Sequence, residues 1–392
     1  MKVVQINTSC GIGSTGKICV SISKLLSEKQ FENYILYSNR TDGYPLGIGL
    51  SSARYIRVQA LKSRLFGNYG FNSERATRGM LSELDHIQPD IVHLHNIHSH
   101  DCNLDMLFAY LRAKHIKVIW TFHDCWSFTA YCPHFTITKC DKWKEGCYSC
   151  PVYHTYSWFF DRSAALYQKK KRALSDLDLT VVTPSHWLAD LVRQSFLKEK
   201  PVLVIPNGID LELFQPTASD FREQHRLTNK KLVLGVSFDW DRSKGLDVFI
   251  SLSKLLPEDY RIVLVGTDAE VEKQLPPSIL SIRRTQNQRE LAKIYSAADV
   301  FLNATREDNF PTVNLEALAC GTPVVTFRTG GSPECLDERS GAVVAQDDLE
   351  GTMQELLRIC TDRPYSPENC RARAMCFDRN RSFQAYVDLY RR

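Results

Sequence analysis

The chain has 392 residues, of which 43% are hydrophobic and 24% charged, and its formal net charge is +4. This is the composition of an ordinary globular protein with about two domains. The charge is slight and no apolar run is long enough to span a bilayer, which argues against a nucleic-acid partner and a transmembrane helix. The N-terminal stretch MKVVQINTSC lacks the apolar core of a signal peptide, and the odd number of cysteines, 13, favours free thiols or metal ligands. We therefore expect a cytoplasmic protein.

Short β-branched runs alternate with helical patterns along the chain. In chain order the predicted strands are KVVQI, NYILYS, DIVHLH, KVIWTFH, LTVVTPS and PVLVIP, then KLVLGVS, RIVLVGT, DVFLNAT and TPVVTF. Apolar runs of this kind, separated by helices, predict parallel sheets covered on both faces. The two series indicate an α/β protein with two Rossmann-like domains. We place these domains at residues 1–199 and 200–375, and expect a C-terminal helix at 376–392 that crosses back to the first domain.

The loop after the first strand, CGIGSTGKI, is rich in glycine. Read as a P-loop, it lacks the hydroxyl residue that binds Mg²⁺, because Ile18 stands after Lys17. Read as a dinucleotide fingerprint, it has all three glycines but no clear acidic partner for a ribose at the end of the second strand. Two interpretations remain open at this point. The loop is a tight turn without a ligand, or it approaches a phosphate or sugar from across a cleft.

Residues 305–323, TREDNFPTVNLEALACGTP, place two carboxylates around a predicted helix start. Pro311 or Thr312 begins the helix and Gly321 ends it. Asp308 precedes the helix, and Glu316 lies just over one turn inside it. The exposed amides of a helix N-terminus bind anions, and carboxylates accept hydrogen bonds from hydroxyl groups. A nucleotide sugar has this layout, with hydroxyls at both ends and phosphates between them.

This stretch resembles the E-x7-E motif of the retaining family-four glycosyltransferases, which have the GT-B fold. The stretches HDCWSFTAYC, CDKWKEGCYSCP, VTPSHWLADLVRQSFL, VIPNGIDLELFQP and TGGSPE resemble the colanic-acid and O-antigen branch of that family. The resemblance covers almost the whole chain. It implies an acceptor-side domain followed by a donor domain, facing each other across a cleft. It also implies transfer of a hexose-type sugar from a nucleoside diphosphate to a glycan with retention of anomeric configuration.

The resemblance also implies roles for individual residues of the donor domain. Glu316 would bind the ribose hydroxyls and Asp308 the hydroxyls of the donor sugar. The sequence departs from the family by having aspartate at this first carboxylate, with Glu307 one residue out of register. The backbone that would line the sugar and diphosphate belongs to Asn309, Phe310, Pro311, Thr312 and Val313.

Lys244 resembles the family lysine that neutralises the leaving diphosphate, which is expected to be the largest catalytic effect. The family usually has an arginine about six residues earlier, where this chain has Phe238, and Arg242 could replace it. His123 matches the cleft histidine that contacts the donor sugar. Gly13 and Ser14 fall where the family has a glycine pair, so the opening loop is expected to approach the donor.

The inserted loop CPHFTITKCDKWKEGCYSC contains four cysteines that could hold a structural Zn²⁺ or could simply be reduced packing residues. They are Cys132, Cys140, Cys147 and Cys150. The stretch DWD at 239–241 looks like the metal-binding D-x-D motif of a different fold class, so we assign no catalytic metal or other catalytic cofactor. His95, His98 and His100 are expected to shape the acceptor side.

Two aromatic and basic stretches, YHTYSWFFDRSAALYQKKKRAL and ARYIRVQALKSRLFGNYGF, suit the surface of an anionic membrane, although a solvated helix face explains them equally well. The expected partners are a UDP- or GDP-sugar and a glycan acceptor, which we expect to be carried on a lipid at the inner face of the cytoplasmic membrane. The alternatives are a non-catalytic nucleotide-sugar-binding subunit and a GT-B epimerase or phosphorylase.

Overall fold

The computed structural model describes residues 1–98 and 100–392. The described chain divides into two compact units, one of residues 1–205 with 383–392 and the other of residues 206–382. The division follows Ile205 and not the predicted residue 199. The reason is that strand Val202–Val204 pairs in parallel with the strand before it, with Val181 opposite Val202.

The first unit is built on a parallel sheet with the strand order β3-β2-β1-β4-β5-β6-β7. Its strands are β1 Lys2–Cys10, β2 Glu32–Thr41, β3 Gly47–Gly49, β4 Ile91–Leu94, β5 Lys117–Thr121, β6 Leu179–Thr183 and β7 Val202–Val204. Its helices are α1 Gly13–Glu28, α2 Ala53–Phe66, α3 Glu74–Ile87, α4 Leu104–Ala113, α5 Ser163–Ser175 and α6 His186–Gln194. Short 3₁₀ helices lie at Trp126–Phe128, Lys142–Lys144 and Tyr153–Thr155.

The second unit repeats this plan with the strand order β10-β9-β8-β11-β12-β13, again all parallel. Its strands are β8 Lys231–Val236, β9 Tyr260–Val265, β10 Ile279–Ile282, β11 Val300–Asn303, β12 Val324–Phe327 and β13 Gly341–Val344. Its helices are α7 Phe221–Gln224, α8 Leu246–Leu255, α9 Ala269–Glu272, α10 Gln288–Ala297, α11 Thr312–Ala319, α12 Leu349–Asp362 and α13 Pro367–Met375, with a 3₁₀ turn at Ser332–Cys335.

These two sheets confirm the predicted fold class of two Rossmann-like α/β domains. The sequence prediction missed β3, β10 and β13. All three are short strands at an edge of their sheet, and β3 and β13 contain glycine, which weakens the strand signal.

The last helix, α14 Arg379–Tyr390, is shared between the two units, because its residues from Phe383 onward belong with the first. Phe383, Tyr386 and Tyr390 are buried in one cluster with Val3 of β1 and Ile22 of α1. The aromatic spacing in the C-terminal sequence therefore marks a buried face of this helix.

The strand order brings particular loops together within each unit. In a doubly wound sheet the chain changes direction between two neighbouring strands, and ligands bind beyond the carboxyl ends of those strands. This point lies between β1 and β4 in the first unit and between β8 and β11 in the second. The loops that follow these strands carry most of the residues singled out in the sequence.

Candidate active site

In the second unit, the loops after β8 and β11 bring Lys244 and Asp308 together. The Lys244 Nζ lies 3.3 Å from Asp308 Oδ2, 3.4 Å from the carbonyl oxygen of Glu307 and 3.5 Å from Thr305 Oγ1. The lysine side chain is 35% exposed and the aspartate 26%. The pair is therefore partly screened from water yet still accessible to a ligand.

The loop that carries Lys244 is shaped by a local turn. Asp241 Oδ1 accepts hydrogen bonds from Ser243 Oγ at 2.6 Å and from the Lys244 backbone N–H at 3.1 Å. Gly245 then has φ +77°, and a Cβ at this position would lie 2.4 Å from the Ala304 carbonyl oxygen. Asp241, the second carboxylate of the D-x-D look-alike, is thus engaged in building the lysine loop.

Sequence reasoning missed Arg306, which fastens this loop to the end of β11. Its guanidinium contacts both oxygens of Asp247 at 2.8 and 3.0 Å and Asp347 Oδ1 at 2.7 Å, and it donates to the Arg242 carbonyl oxygen. Partial burial raises the pKa of Asp247, but the hydrogen bonds and charge of Arg306 outweigh burial and hold that pKa below its usual range. The only local signal was an arginine three residues past the end of a buried strand.

The position where the family has its arginine is occupied by a solvent-facing side chain. Phe238 is 91% exposed. Arg242 is also exposed, and its carbonyl oxygen is the group that Arg306 binds. The replacement of the family arginine by Arg242 remains a prediction.

Helix α11 begins where the sequence placed it. Pro311 is its N-cap residue and makes no side-chain cap. The amides of Thr312 and Val313 precede the first bond of the helix, which Asn314 N–H donates to the Pro311 carbonyl oxygen at 3.2 Å, so they have no preceding turn to bind. Pro311 has no N–H, and the Phe310 N–H donates to Asp308 Oδ1 at 3.3 Å. Of the backbone predicted to line a diphosphate, the amides of Thr312 and Val313 are those that the helix start presents.

The side chain of Phe310 belongs to the core of the second unit. It is 4% exposed, and its ring packs edge-on against Phe377 with centroids 5.5 Å apart. This predicted site residue can therefore face a ligand only through its backbone.

Glu316 has a partner that the sequence did not reveal. Tyr295 Oη donates to Glu316 Oε2 at 2.9 Å. Burial, reinforced by the Glu316 charge, raises the pKa of Tyr295 well above its usual value, so the phenol keeps its proton and remains a donor. The bond orients the half-buried carboxylate at the first turns of α11.

A glycine from the TGGSPE stretch supports the Asp308 backbone. Gly330 has φ +53°, and a Cβ there would lie 1.7 Å from the Asp308 carbonyl oxygen. The backbone of the loop after β12 thus packs directly against the loop that carries the carboxylate. Only glycine allows this approach.

In the first unit, the opening loop is a tight turn between β1 and α1. Gly11 has φ +73° and its N–H donates to the Gly16 carbonyl oxygen at 3.1 Å, and a Cβ at Gly11 would collide with the Asp42 carboxylate. Gly13 and Ser14 are exposed at the first residues of α1, and Gly13 has open space around it. The loop can therefore admit another group close to its backbone.

His123 follows β5 and is joined to His95, which follows β4. His123 Nε2 lies 3.0 Å from His95 Nδ1, and His95 Nε2 lies 3.2 Å from Gln5 Oε1. Burial lowers the pKa of His123 to about 4 and that of His95 well below its usual value. Both rings are therefore neutral at physiological pH.

His98 has a different environment, because it pairs with Asp124. His98 Nε2 lies 2.9 Å from Asp124 Oδ2, and Asp124 Oδ1 accepts from the Trp126 N–H at 2.8 Å. Burial disfavours the charged form of both groups. Their mutual attraction outweighs it, raising the pKa of His98 and lowering that of Asp124. His100 contacts Ser63 Oγ at 3.1 Å, so the three predicted acceptor-side histidines have three different settings.

The four cysteines of the inserted loop line one cavity of about 20 Å³. The Cys132 thiol is hydrogen-bonded to the Cys150 sulfur, which lowers the pKa of Cys150 to about 7 and raises that of Cys132. Within residues 1–98 and 100–392, no three histidine, cysteine, aspartate or glutamate side chains are placed where they could hold a metal ion. The zinc site stays a prediction.

The basic run in the second half of α5, residues 169–172, is only partly a surface feature. Lys170 is fully buried, and its Nζ donates to the carbonyl oxygens of Trp126 at 2.6 Å and Thr129 at 2.9 Å. It also lies 3.4 Å from the centre of the Trp126 ring. Lys170 therefore faces neither a membrane nor solvent, the two settings that the sequence left open for this run, and it holds the loop after His123 against α5.

Two family models match the chain. One, described as Glycosyltransferase Family 4, matches residues 16–213, and the other, described as Glycosyl transferases group 1, matches residues 230–362. The first spans half of the chain. The protein therefore belongs to glycosyltransferase family 4, as the motifs indicated.

Individual proteins resemble the chain over its full length. The Escherichia coli (strain K12) protein assigned as colanic acid biosynthesis glycosyl transferase WcaC is 23% identical over 416 residues, covering 100% of this chain and 99% of that protein. The structure of Anabaena Alr3699/HepE in complex with UDP and glucose has a TM-score of 0.73 at 14% identity, covering 100% of this chain and 99% of that one. The structure of WaaG, a glycosyltransferase involved in lipopolysaccharide biosynthesis, has a TM-score of 0.69 at 17% identity, covering 99% of each chain. These likenesses confirm the GT-B fold.

Within the described residues, no helix combines the length and apolar character needed to cross a membrane.

Proposed function

We propose that this glycosyltransferase moves a hexose-type sugar from a UDP- or GDP-sugar to a glycan acceptor in the synthesis of a surface polysaccharide, with retention of configuration. The observation that carries the proposal is the Lys244–Asp308 pair beside the start of α11. The Lys244 ammonium and the first amides of α11 can bind a diphosphate, and the Asp308 carboxylate can accept hydrogen bonds from the hydroxyl groups of the attached sugar. The likeness to WcaC supports the polysaccharide assignment.

Each group has a role in the proposed reaction. Glu316, oriented by Tyr295, accepts hydrogen bonds from the ribose hydroxyls. The first amides of α11 and the Lys244 ammonium stabilise the charge that develops on the leaving diphosphate. Asp308 accepts hydrogen bonds from the sugar hydroxyls.

The chemical step needs no carboxylate nucleophile. The acceptor hydroxyl oxygen forms a bond to the anomeric carbon while the bond from that carbon to the diphosphate oxygen breaks. The leaving diphosphate takes the hydroxyl proton. Attack and departure on the same face retain the anomeric configuration, and the products are a glycoside and a nucleoside diphosphate.

In the first unit, we assign His123 a contact with the donor sugar and Gly13 and Ser14 an approach to its phosphate or sugar. Support comes from the position of both loops at the carboxyl edge of the sheet, beside the point where the strand order reverses. The donor's nucleotide is left as uridine or guanosine diphosphate. The UDP bound to the fold relative HepE makes UDP the first to test.

Thermal unfolding with UDP, GDP, ADP and NAD, each at saturating concentration, tests the donor site. A ligand at a hundred times its dissociation constant adds about 2.7 kcal/mol to the free energy of unfolding. We expect stabilisation by UDP or GDP alone, its loss in Glu316→Ala, and its retention in the exposed-site control Glu258→Ala. A shift with NAD alone, or with none of the four, would contradict the proposal.

Turnover separates the enzyme from its alternatives. Phe238 in place of the family arginine favours a non-catalytic binder, and that reading predicts donor binding without any transfer or slow donor hydrolysis. An epimerase would instead convert the free nucleotide sugar without an acceptor. We expect release of the nucleoside diphosphate that increases when a lipid-linked glycan acceptor is added.

We also propose that the first unit contacts an anionic membrane through helix α2 and the loop that follows residue 157. The exposed apolar side chains of this surface are Val58, Leu61, Phe66, Trp158, Phe159 and Phe160. The two segments are adjacent, since the Trp158 N–H donates to the Arg64 carbonyl oxygen at 2.7 Å. Helix α2 has four basic residues and no acidic one, which complements anionic lipids.

Vesicle sedimentation tests this surface. Binding to vesicles of phosphatidylglycerol and phosphatidylethanolamine should fall about tenfold or more in Trp158→Ser/Phe159→Ser, because both lose apolar area that enters the interface. The control Met375→Ser removes an equally exposed apolar side chain in the second unit. Equal binding to vesicles without anionic lipid would contradict the role of the basic residues.

A further inference from the structure

A chain of buried hydrogen bonds in the first unit runs from β1 to His123. It begins at Gln5, whose Nε2 donates to the Cys19 carbonyl oxygen at 3.0 Å. A carbonyl oxygen can only accept, so this contact fixes which end of the Gln5 amide is nitrogen. The amide oxygen, Oε1, must therefore be the atom that faces His95 Nε2 at 3.2 Å.

The proton positions on His95 and His123 follow from the same assignment of donors and acceptors. Gln5 Oε1 can only accept, so His95 Nε2 carries a proton. The His95 ring is 1% exposed and lies 4.1 Å, centre to centre, from the equally buried ring of His93, a setting that keeps it neutral. A neutral imidazole has one proton, so His95 Nδ1 is an acceptor. His123 Nε2, at 3.0 Å from it, must then be the donor.

We propose that Gln5 and His95 are positioning residues that fix the tautomer of His123, with the proton on Nε2, so that Nδ1 accepts a hydrogen bond from a hydroxyl group of the donor sugar. This inference rests on the proposed function of His123. The opposite tautomer would place an N–H at Nδ1. An N–H group cannot accept a hydrogen bond from a hydroxyl group. In that tautomer His95 Nδ1 and His123 Nε2 would also face each other with two lone pairs and no proton between them.

Nuclear magnetic resonance can read the tautomer without any substrate. Protonated and unprotonated imidazole nitrogens differ strongly in ¹⁵N chemical shift, and His123→Asn identifies the signals of this ring by their loss. We expect a protonated Nε2 and an unprotonated Nδ1 for His123 in the full-length protein near neutral pH. A proton on Nδ1, or a cationic ring, would overturn the inference.

A near-isosteric variant tests the positioning role. Gln5→Met removes the acceptor for His95 Nε2 while keeping similar volume, so His95 and His123 can exchange tautomers. We expect a mixture of His123 tautomers and a kcat about tenfold lower, the loss associated with one hydrogen bond, with the KM for the donor changed less than twofold. Gln59→Met, at another buried glutamine, should leave the tautomer and kcat unchanged.

The two readouts separate failure of the inference from failure of the proposed function. If the protein has the predicted tautomer but transfers no sugar, the hydrogen-bond chain is supported and the proposed function fails. Transfer activity with the opposite tautomer would refute the chain and leave the glycosyltransferase reaction standing. If Gln5→Met does not fold, the tautomer of the unmodified protein still decides the inference. An equal loss of kcat in both glutamine variants would also contradict the positioning role.

Discussion

The two units have the same sheet plan but present different chemistry at the point where the strand order reverses. In the second unit this edge carries a partly exposed ion pair, Lys244 with Asp308, beside a helix start. In the first it carries neutral histidines, His95 and His123, whose proton positions are set by buried partners. The edge of the second unit is suited to binding a charged diphosphate and releasing it. The other is suited to directing a single hydrogen bond in a poorly solvated setting.

Substitutions at the charged edge of the second unit should lower kcat more than substitutions at the histidine edge of the first unit. Lys244→Met removes the cation expected to stabilise the leaving diphosphate, and we expect kcat to fall by about 10²–10³. The matched control is Lys254→Met, at an exposed lysine in the last turn of α8. Steady-state kinetics of nucleoside diphosphate release measures both. A loss below tenfold in Lys244→Met would assign the stabilisation to the helix amides instead.

Backbone support of the charged edge is the next test. Gly330→Ala should lower the free energy of unfolding by about 2–3 kcal/mol and weaken donor binding, because the new Cβ meets the Asp308 carbonyl oxygen at a positive φ. Gly79→Ala in helix α3, where the added Cβ has open space, should be neutral or stabilising by up to about 1 kcal/mol. Denaturant titration compares them. Equal effects would mean that the loops repack without strain.

The charged pair of the first unit should give its stability a pH dependence different from that of His95 and His123, whose lowered pKa values remove stability only as pH falls below the usual histidine value. Asp124 has a lowered pKa, so its contribution is lost as pH falls through that value. His98 has a raised pKa, so its contribution is lost as pH rises through that value. Asp124→Asn should lower the free energy of unfolding by about 3 kcal/mol between these limits, where both groups are charged, and by much less outside them. Unfolding free energies measured across pH would contradict this if the difference stayed constant.

The cysteine loop lies outside both of these sheet edges, so changes in it should affect stability and not catalysis. If its thiols close around zinc, metal analysis of the purified protein should find about one Zn per chain. Cys140→Ser should then lower metal content and the melting temperature while changing the kcat of the folded enzyme less than twofold. Cys376→Ser, at an exposed cysteine, serves as the control. Far less than one zinc per chain would leave the four residues as packing thiols.

Much of the charged site could be predicted because its signals are local. Asp308, Pro311 and Glu316 lie within one short stretch, and the preference of proline for a helix start together with the free amides of that start point to an anion site. Lys244 required the family resemblance, since a lysine in a loop is otherwise unremarkable. Arg306 and Tyr295 were missed because their roles come from partners far away in sequence, Asp247 and Glu316 among them.

The sequence by itself determined the alternation of strands and helices, the two parallel sheets and the family, because hydrophobic period, glycine and proline act over a few residues. Tertiary structure alone decided the settings of individual side chains. It buried Lys170 under Trp126, turned Phe310 into the core and joined Gln5 to His95. These outcomes depend on which strands become neighbours. Burial, proton position and ion pairing are properties of contacts between distant residues, and no local pattern encodes them.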